Sequence, residues 1–256
     1  RAKLLTEQDF VNIAGLGSVP EAVEYLKGKR SYAEALGKMD ETLYHRGNVE
    51  KVFGQSLYAD YSRIYSFAGM KQKKLLRGLW KGYEIEVIDY CFRIVHNNLE
   101  VPFDLDYKKE YFDKYSQISI DKMVAARTEG DLIEALKDTE YYEILKKIHD
   151  SGKASLYDYD IALKQYMFAD MWKRQRRVTN AKEKEYFKTV CGAQIDLLNL
   201  QWIYRGKKYY GMPPADLYEM TIPIHFKIRP EEYKSLVEAP TIEQFMQRLS
   251  GTYYER

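Results

Sequence analysis

The chain repeats itself at an interval of 110 residues, and two separate blocks report that same interval. Ala22-Val23-Glu24-Tyr25-Leu26 returns as Leu132-Ile133-Glu134-Ala135-Leu136, and Ile85-Glu86-Val87-Ile88-Asp89-Tyr90 returns as Ile195-Asp196-Leu197-Leu198-Asn199-Leu200. Two blocks in the same order with the same offset define a duplicated unit, which constrains the fold more than any single motif. A third copy of the first block, Phe245-Met246-Gln247-Arg248-Leu249, lies 113 residues beyond the second. Its lead-in recurs as well: Leu5-Thr6-Glu7-Gln8-Asp9-Phe10 aligns with Ile118 to Met123 and with Ile228 to Tyr233. Each copy ends on a tyrosine, Tyr32, Tyr141 and Tyr254.

The unit reads as helical. Thr6, Ser119 and Pro230 stand where helix caps or first-turn residues belong. Ala22, Val23 and Leu26, like Leu132, Ile133 and Leu136, fall at i, i+1 and i+4, one face of a short helix. The second block is apolar nearly all round in both copies, which predicts a helix buried on several sides. The stretches Tyr58–Phe67 and Tyr159–Phe168 between the blocks are free of proline and carry large residues at helical spacing. The connectors Pro102-Phe103-Asp104-Leu105 and Pro214-Ala215-Asp216-Leu217 each follow a second block. Only Thr221-Ile222-Pro223-Ile224 offers a strand candidate, and a proline interrupts it. The expectation is an all-α fold of repeated domains: 1–112, 113–226, and 227–256 as the start of a third.

Composition narrows the function classes. With 45% apolar and 30% charged residues, the chain can bury a core beneath a solvated surface. A formal net charge of +2 favours neither nucleic acid nor an acidic partner. No apolar run is long enough to span a bilayer. Cys91 and Cys191 occupy different repeat positions and read as buried thiols in a reducing, cytoplasmic setting. The 24 tyrosines suit half-buried helix faces and broad protein surfaces.

Candidate chemistry is sparse. His45, His96, His149 and His225 lack zinc-site spacing, and Gly15-Leu16-Gly17 is no phosphate loop. Neither metal nor cofactor is expected. The acids Glu84, Glu86 and Asp89, with Asp196 and Asn199 in the positions of Glu86 and Asp89, could form an acid–base pair. A structural role fits better, since first-turn acids complement a helix dipole and a repeated polar pair can bond a neighbouring helix end. Two basic clusters stand out: Lys71, Lys73, Lys74, Arg77 and Lys81, then Lys173, Arg174, Arg176, Arg177 and Lys182. Arg205, Lys207 and Lys208 form a third. They are either solvated helix faces or a surface for phosphates or an acidic protein.

The segments Leu4–Phe10, Tyr83–Ile88 and above all Gln194–Gly211, where an acid-x-x-Asn-Leu pattern runs into Arg-x-Lys-x-Tyr-Tyr-Gly, resemble the C subunit of the bacterial and archaeal V-type (A-type) ATPases. The d subunit of the vacuolar ATPase is its eukaryotic counterpart. The resemblance implies a helical funnel of three domains about a pseudo-threefold axis. It also implies a non-catalytic rotor subunit between the central-shaft subunits and the c-type membrane ring, on the cytoplasmic face. No catalytic residue, nucleic acid or membrane insertion is implied. Two complete units and the opening of a third imply a parent of about 330 residues, with a further helix before Arg1-Ala2-Lys3. The alternative reading is a helical scaffold that binds RNA or a protein partner through its basic faces.

Overall fold

A computed structural model of the chain describes residues 4–101, 103–176, 178 and 180–255. Among them there are fourteen α-helices, one 3-10 turn at Glu41–Leu43 and no strand. In chain order, α1 is Glu7–Ala14, α2 Val19–Lys27, α3 Ala33–Leu36, α4 Arg46–Phe67 and α5 Met70–His96. Next come α6 Asp106–Tyr115, α7 Ile120–Ala125, α8 Glu129–Ala135, α9 Tyr142–His149 and α10 Leu156–Gln175. The last four are α11 Ala181–Tyr210, α12 Pro214–Met220, α13 Pro230–Val237 and α14 Ile242–Leu249. No helix among the described residues is long and apolar enough to cross a membrane.

The chain divides into two compact units, Arg1–Ala68 with Asp104–Tyr111, and Gly69–Phe103 with Phe112–Arg256. In the first, Val23, Leu26, Leu36 and Val49 make a small core, flanked by Leu5, Ile13, Tyr32 and Phe53. The Thr6 hydroxyl caps α1, and Asp9 returns the bond to the Thr6 N–H, so two otherwise orphaned amides are satisfied together. Ser18 caps α2, with proline in its first turn, and Lys51 pairs with Asp104 at 2.6 Å.

In the second unit α5 and α10 pack antiparallel along their lengths. Arg174 lies against Gly78, Lys81 meets Asp170, and the Phe92 and Tyr159 rings sit 4.5 Å apart. Trp80, fully buried, packs among the rings of Tyr83, Phe112 and Tyr115. The second core follows α11, where Cys191, Ile195, Trp202 and Ile203 meet Leu217, Leu236 and Phe245. Gly192 and Gly206 let partners approach the α11 backbone: a Cβ on Gly192 would run into the Phe226 ring, and one on Gly206 into Leu217. Gly211 ends α11 in the left-handed conformation, φ 58°, its N–H bonded to the Gly206 carbonyl.

One sequence expectation needs correction. The acids from Glu84 to Asp89, and Asp196 with Asn199, are not first-turn residues, because α5 begins at Met70 and α11 at Ala181. The helix dipole falls off within a turn and cannot explain them. The strand candidate at residues 221–224 is irregular backbone, held by Asn199, which donates to the Ile222 carbonyl and accepts from its N–H. Cys91 and Cys191 are both free and buried, and burial pushes the Cys191 thiol up to about 11.

Candidate interaction surface

The two principal basic clusters lie about 100 residues apart in sequence and meet because α5 and α10 are antiparallel. Lys71, Lys73, Lys74 and Arg77 occupy the first turns of α5, whose cap position is Gly69, with no side-chain cap and no acidic first-turn residue. Lysines there face the positive end of the helix dipole, so local helix stability does not select them. Lys173 and Arg174 close α10, where cations complement the dipole, and Arg176 follows. Arg174 ties the clusters together: its guanidinium donates to Asp170 at 2.6 Å and to the Lys74 carbonyl at 2.9 Å. Between the helices lies a groove of about 250 Å³, lined by Lys71, Lys74, Leu75, Arg174, Val178 and Glu183. The start of α11, capped by Asn180, forms its far side and adds exposed Lys182. Arg177 lies outside the described residues.

Lys81 does not belong to this surface. It is 4% exposed, ion-paired to Glu140 at 2.5 Å and Asp170 at 2.7 Å, and its ammonium sits over the Tyr166 ring. Burial opposes its charge, but Asp170 and Glu140 hold the ammonium above the ordinary lysine range. The third basic group also disperses. Lys207 turns inward to the carbonyls of Val237 and Ala239, Lys208 bonds Tyr204, and Arg205 is exposed.

The acids are packing devices. Glu84 is buried and accepts from the Ser116 hydroxyl and the Tyr141 hydroxyl, both at 2.5 Å. Burial raises its carboxyl above the usual range, and the two donors work against that shift. Asp196, 1% exposed, accepts from the N–H groups of Phe226, Lys227 and Ile228 and from the Tyr254 hydroxyl. Glu86, which the sequence offset aligns with Asp196, is exposed. The structural counterpart is Glu84, two residues earlier. The readable signal was the spacing from acid to block-ending tyrosine: 57 residues from Glu84 to Tyr141 and 58 from Asp196 to Tyr254. Three backbone amides and a phenol tie this carboxylate to the segment after α12 and to the end of the third block, a packing role.

His96 and His149 converge on Glu129, at 2.6 and 3.5 Å, with the Tyr159 hydroxyl 3.0 Å from the same carboxylate. Among the described residues no three His, Cys, Asp or Glu side chains are placed to hold a metal ion. A shallow groove of about 500 Å³ lies beside Ile94, Leu99 and Val101, with Asn98, Glu100 and Arg127 in its lining.

Helices locked by buried polar bonds, with a basic groove at one end, define an all-α protein organised around its packing and surfaces. Its family follows from comparison: the family model described as ATP synthase (C/AC39) subunit matches residues 1–256. The chain belongs to that family. The C subunit of the A-type ATP synthase of Methanocaldococcus jannaschii is 24% identical over 258 residues, covering 99% of this chain and 63% of the relative. The C subunits of the A-type ATP synthases of Methanosarcina mazei and Methanobrevibacter smithii are 22% and 24% identical, each match again covering 99% of this chain. The chain thus spans 63% to 68% of the length of these relatives.

Proposed function

We propose that the chain serves as a non-catalytic central-stalk subunit of an A/V-type ATPase, coupling the rotating shaft to the ion-translocating membrane ring from its cytoplasmic face. The observation that carries this reading is the family match over residues 1–256. The physical character of the chain supports it. A torque-bearing spacer needs stiff helix packing and wide contact surfaces, and buried charge-assisted bonds such as Tyr141–Glu84 resist sliding of one helix past another. In this reading the repeat divides the protein at 1–112, 113–226 and 227 onward, three similar domains stand about a pseudo-threefold axis, and Lys71, Lys73, Lys74, Arg77, Lys173, Arg174, Arg176 and Arg177 face an acidic partner protein.

Co-expression of the complete gene product with the shaft subunits and with the isolated ring, followed by gel filtration, is the direct test. Co-elution with both is expected. Failure to join either one rejects the coupling role. A second reading, a scaffold for RNA, draws on the convergence of the two basic clusters around Arg174. It requires salt-sensitive binding of single-stranded RNA, with a log–log slope set by the number of phosphates contacted. Absence of binding at low salt removes it.

A further inference from the structure

Tyrosine serves this fold in two ways. Inside, Tyr141 on Glu84 and Tyr254 on Asp196 close the two junctions between a second-block helix and the block that follows it. At the end of α11 the rings face outward instead: Tyr209 is 63% exposed and Tyr210 59%. A single exposed ring needs no explanation, but these two are held in place. The Lys208 ammonium bonds the Tyr204 hydroxyl at 2.7 Å and sits over the rings of Tyr204 and Tyr209, 5.1 and 5.3 Å from their centres. Tyr210 packs on Tyr157 of α10, ring centres 6.2 Å apart, and Gly211 stops the helix directly after it. Arg205 is exposed one turn before Tyr209, on the same side of the helix. Among the described residues neither Arg205 nor Lys208 pairs with a carboxylate.

The repeat marks the same place twice. Leu99, 110 positions before Tyr209, is 46% exposed, and Val101 close by is exposed as well. The contact of Tyr157 with Tyr210 joins the first turn of α10 to the last turn of α11, so these helices are antiparallel. α10 is antiparallel to α5 too. Hence α5 and α11 run the same way and end on one face of the second unit, where the groove beside Leu99 and Val101 also lies. The cations gathered around Arg174 stand at the other end, about 45 Å away along the 30 residues of α11. One end of the unit is basic, and the other is aromatic and aliphatic.

We propose that the face formed by the ends of α5 and α11 is a second docking surface, which takes a protein presenting apolar side chains around a carboxylate. Tyr209, Tyr210 and Leu99 supply the apolar area, and Arg205 supplies the charge that the carboxylate answers. Rings already fixed in position lose little freedom on binding, and tyrosine and arginine are enriched at the centres of protein interfaces. Glu100 in the groove and exposed Asp158 at the start of α10 repel phosphate on this face, which disfavours nucleic acid and anionic lipid. The proposal rests on the rotor reading, since a subunit that couples two bodies needs two separate surfaces and the basic groove is only one.

Binding of the complete gene product to the purified shaft subunits and, separately, to the purified ring tests this. Tyr209→Ser combined with Tyr210→Ser should weaken one of the two complexes by roughly tenfold or more and leave the other unchanged. Arg205→Glu should weaken the same complex. Lys71→Gln combined with Lys74→Gln should weaken the other one, and that second complex should be the more sensitive to salt. Hydroxyl-radical footprinting of the unaltered protein gives a readout independent of any variant: Tyr209 and Tyr210 should react in the free complete product and be protected in the first complex. Tyrosine variants that bind both partners as tightly as the unaltered protein overturn the proposal and leave the rotor role standing. So do tyrosine and lysine variants that weaken the same complex, rings already protected in the free product, and rings protected by single-stranded RNA in place of either protein. An unaltered protein that joins neither partner rejects the rotor role, and this surface with it.

Discussion

At the scale of single residues, the junction tyrosines make two similar bonds with unequal consequences. Tyr141→Phe leaves buried Glu84 with one donor, the Ser116 hydroxyl, so the cost is that of a buried charged acceptor losing half its partners, about 1–2 kcal/mol. Tyr254→Phe leaves Asp196 with three backbone donors and should cost about half as much. Urea denaturation of the two variants gives the comparison directly, and equal losses would show that the donors do not share the load. Asp89 makes a second test. Burial first, and then the nearby Asp160 carboxylate, push its carboxyl up to about 7, with Lys164 and Arg93 pulling the other way. Because the folded value lies above the unfolded one, the folded state binds the extra proton. Stability from this group is full below the unfolded carboxylate range and is lost as pH rises through about 7. Asp89→Asn should therefore raise stability at pH 8 by about 1–2 kcal/mol and change little at pH 4. Thermal melts at the two pH values check the sign.

At the scale of elements, glycines in helix interiors divide by what a methyl group would meet. Gly82 on α5 has only the Met167 sulfur near its missing Cβ, at 3.9 Å. Gly82→Ala should stabilise by up to about 1 kcal/mol through helix propensity. Gly192 on α11 would drive a Cβ into the Phe226 ring, beside the amides that bond Asp196. There the steric cost of about 1–3 kcal/mol outweighs the propensity gain, so Gly192→Ala should destabilise. Opposite shifts in melting temperature for these chemically identical changes would verify the close approach. The same distinction explains what periodicity could show. The i, i+1, i+4 pattern of Leu132, Ile133 and Leu136 was enough to place α8, because side-chain direction follows from helix geometry alone. Which acid of the 27-residue helix α5 closes the junction was not legible, since its partner Tyr141 lies 57 residues further along the chain.

At the scale of the whole molecule, a net charge of +2 conceals an uneven distribution. Basic residues of α5 and α10 gather at one end of their helix pair, while Lys81 is spent on the carboxylates of Glu140 and Asp170, and Lys207 of the third basic group on two carbonyls. Changing exposed Lys71, Lys74, Lys173 and Arg176 to Gln should move stability by less than about 1 kcal/mol, because no buried partner is lost. On the proposed function, the same variant should bind its acidic partner roughly tenfold more weakly at low ionic strength, with the difference shrinking as salt rises. Titration of the purified partner at two salt concentrations measures both effects.

The sequence by itself determined the helical class, the duplicated unit, the caps at Thr6 and Ser119, and the burial of the second blocks. Each of these depends on local periodicity or on nearest-neighbour hydrogen bonding, which a linear pattern carries. Tertiary structure decided which acid closes each junction, and that Lys81 leaves the basic cluster while Arg174 binds its two halves. These outcomes turn on contacts between residues 57 to 100 positions apart. Their energies come from desolvation and partner geometry, quantities that exist only once the helices have packed.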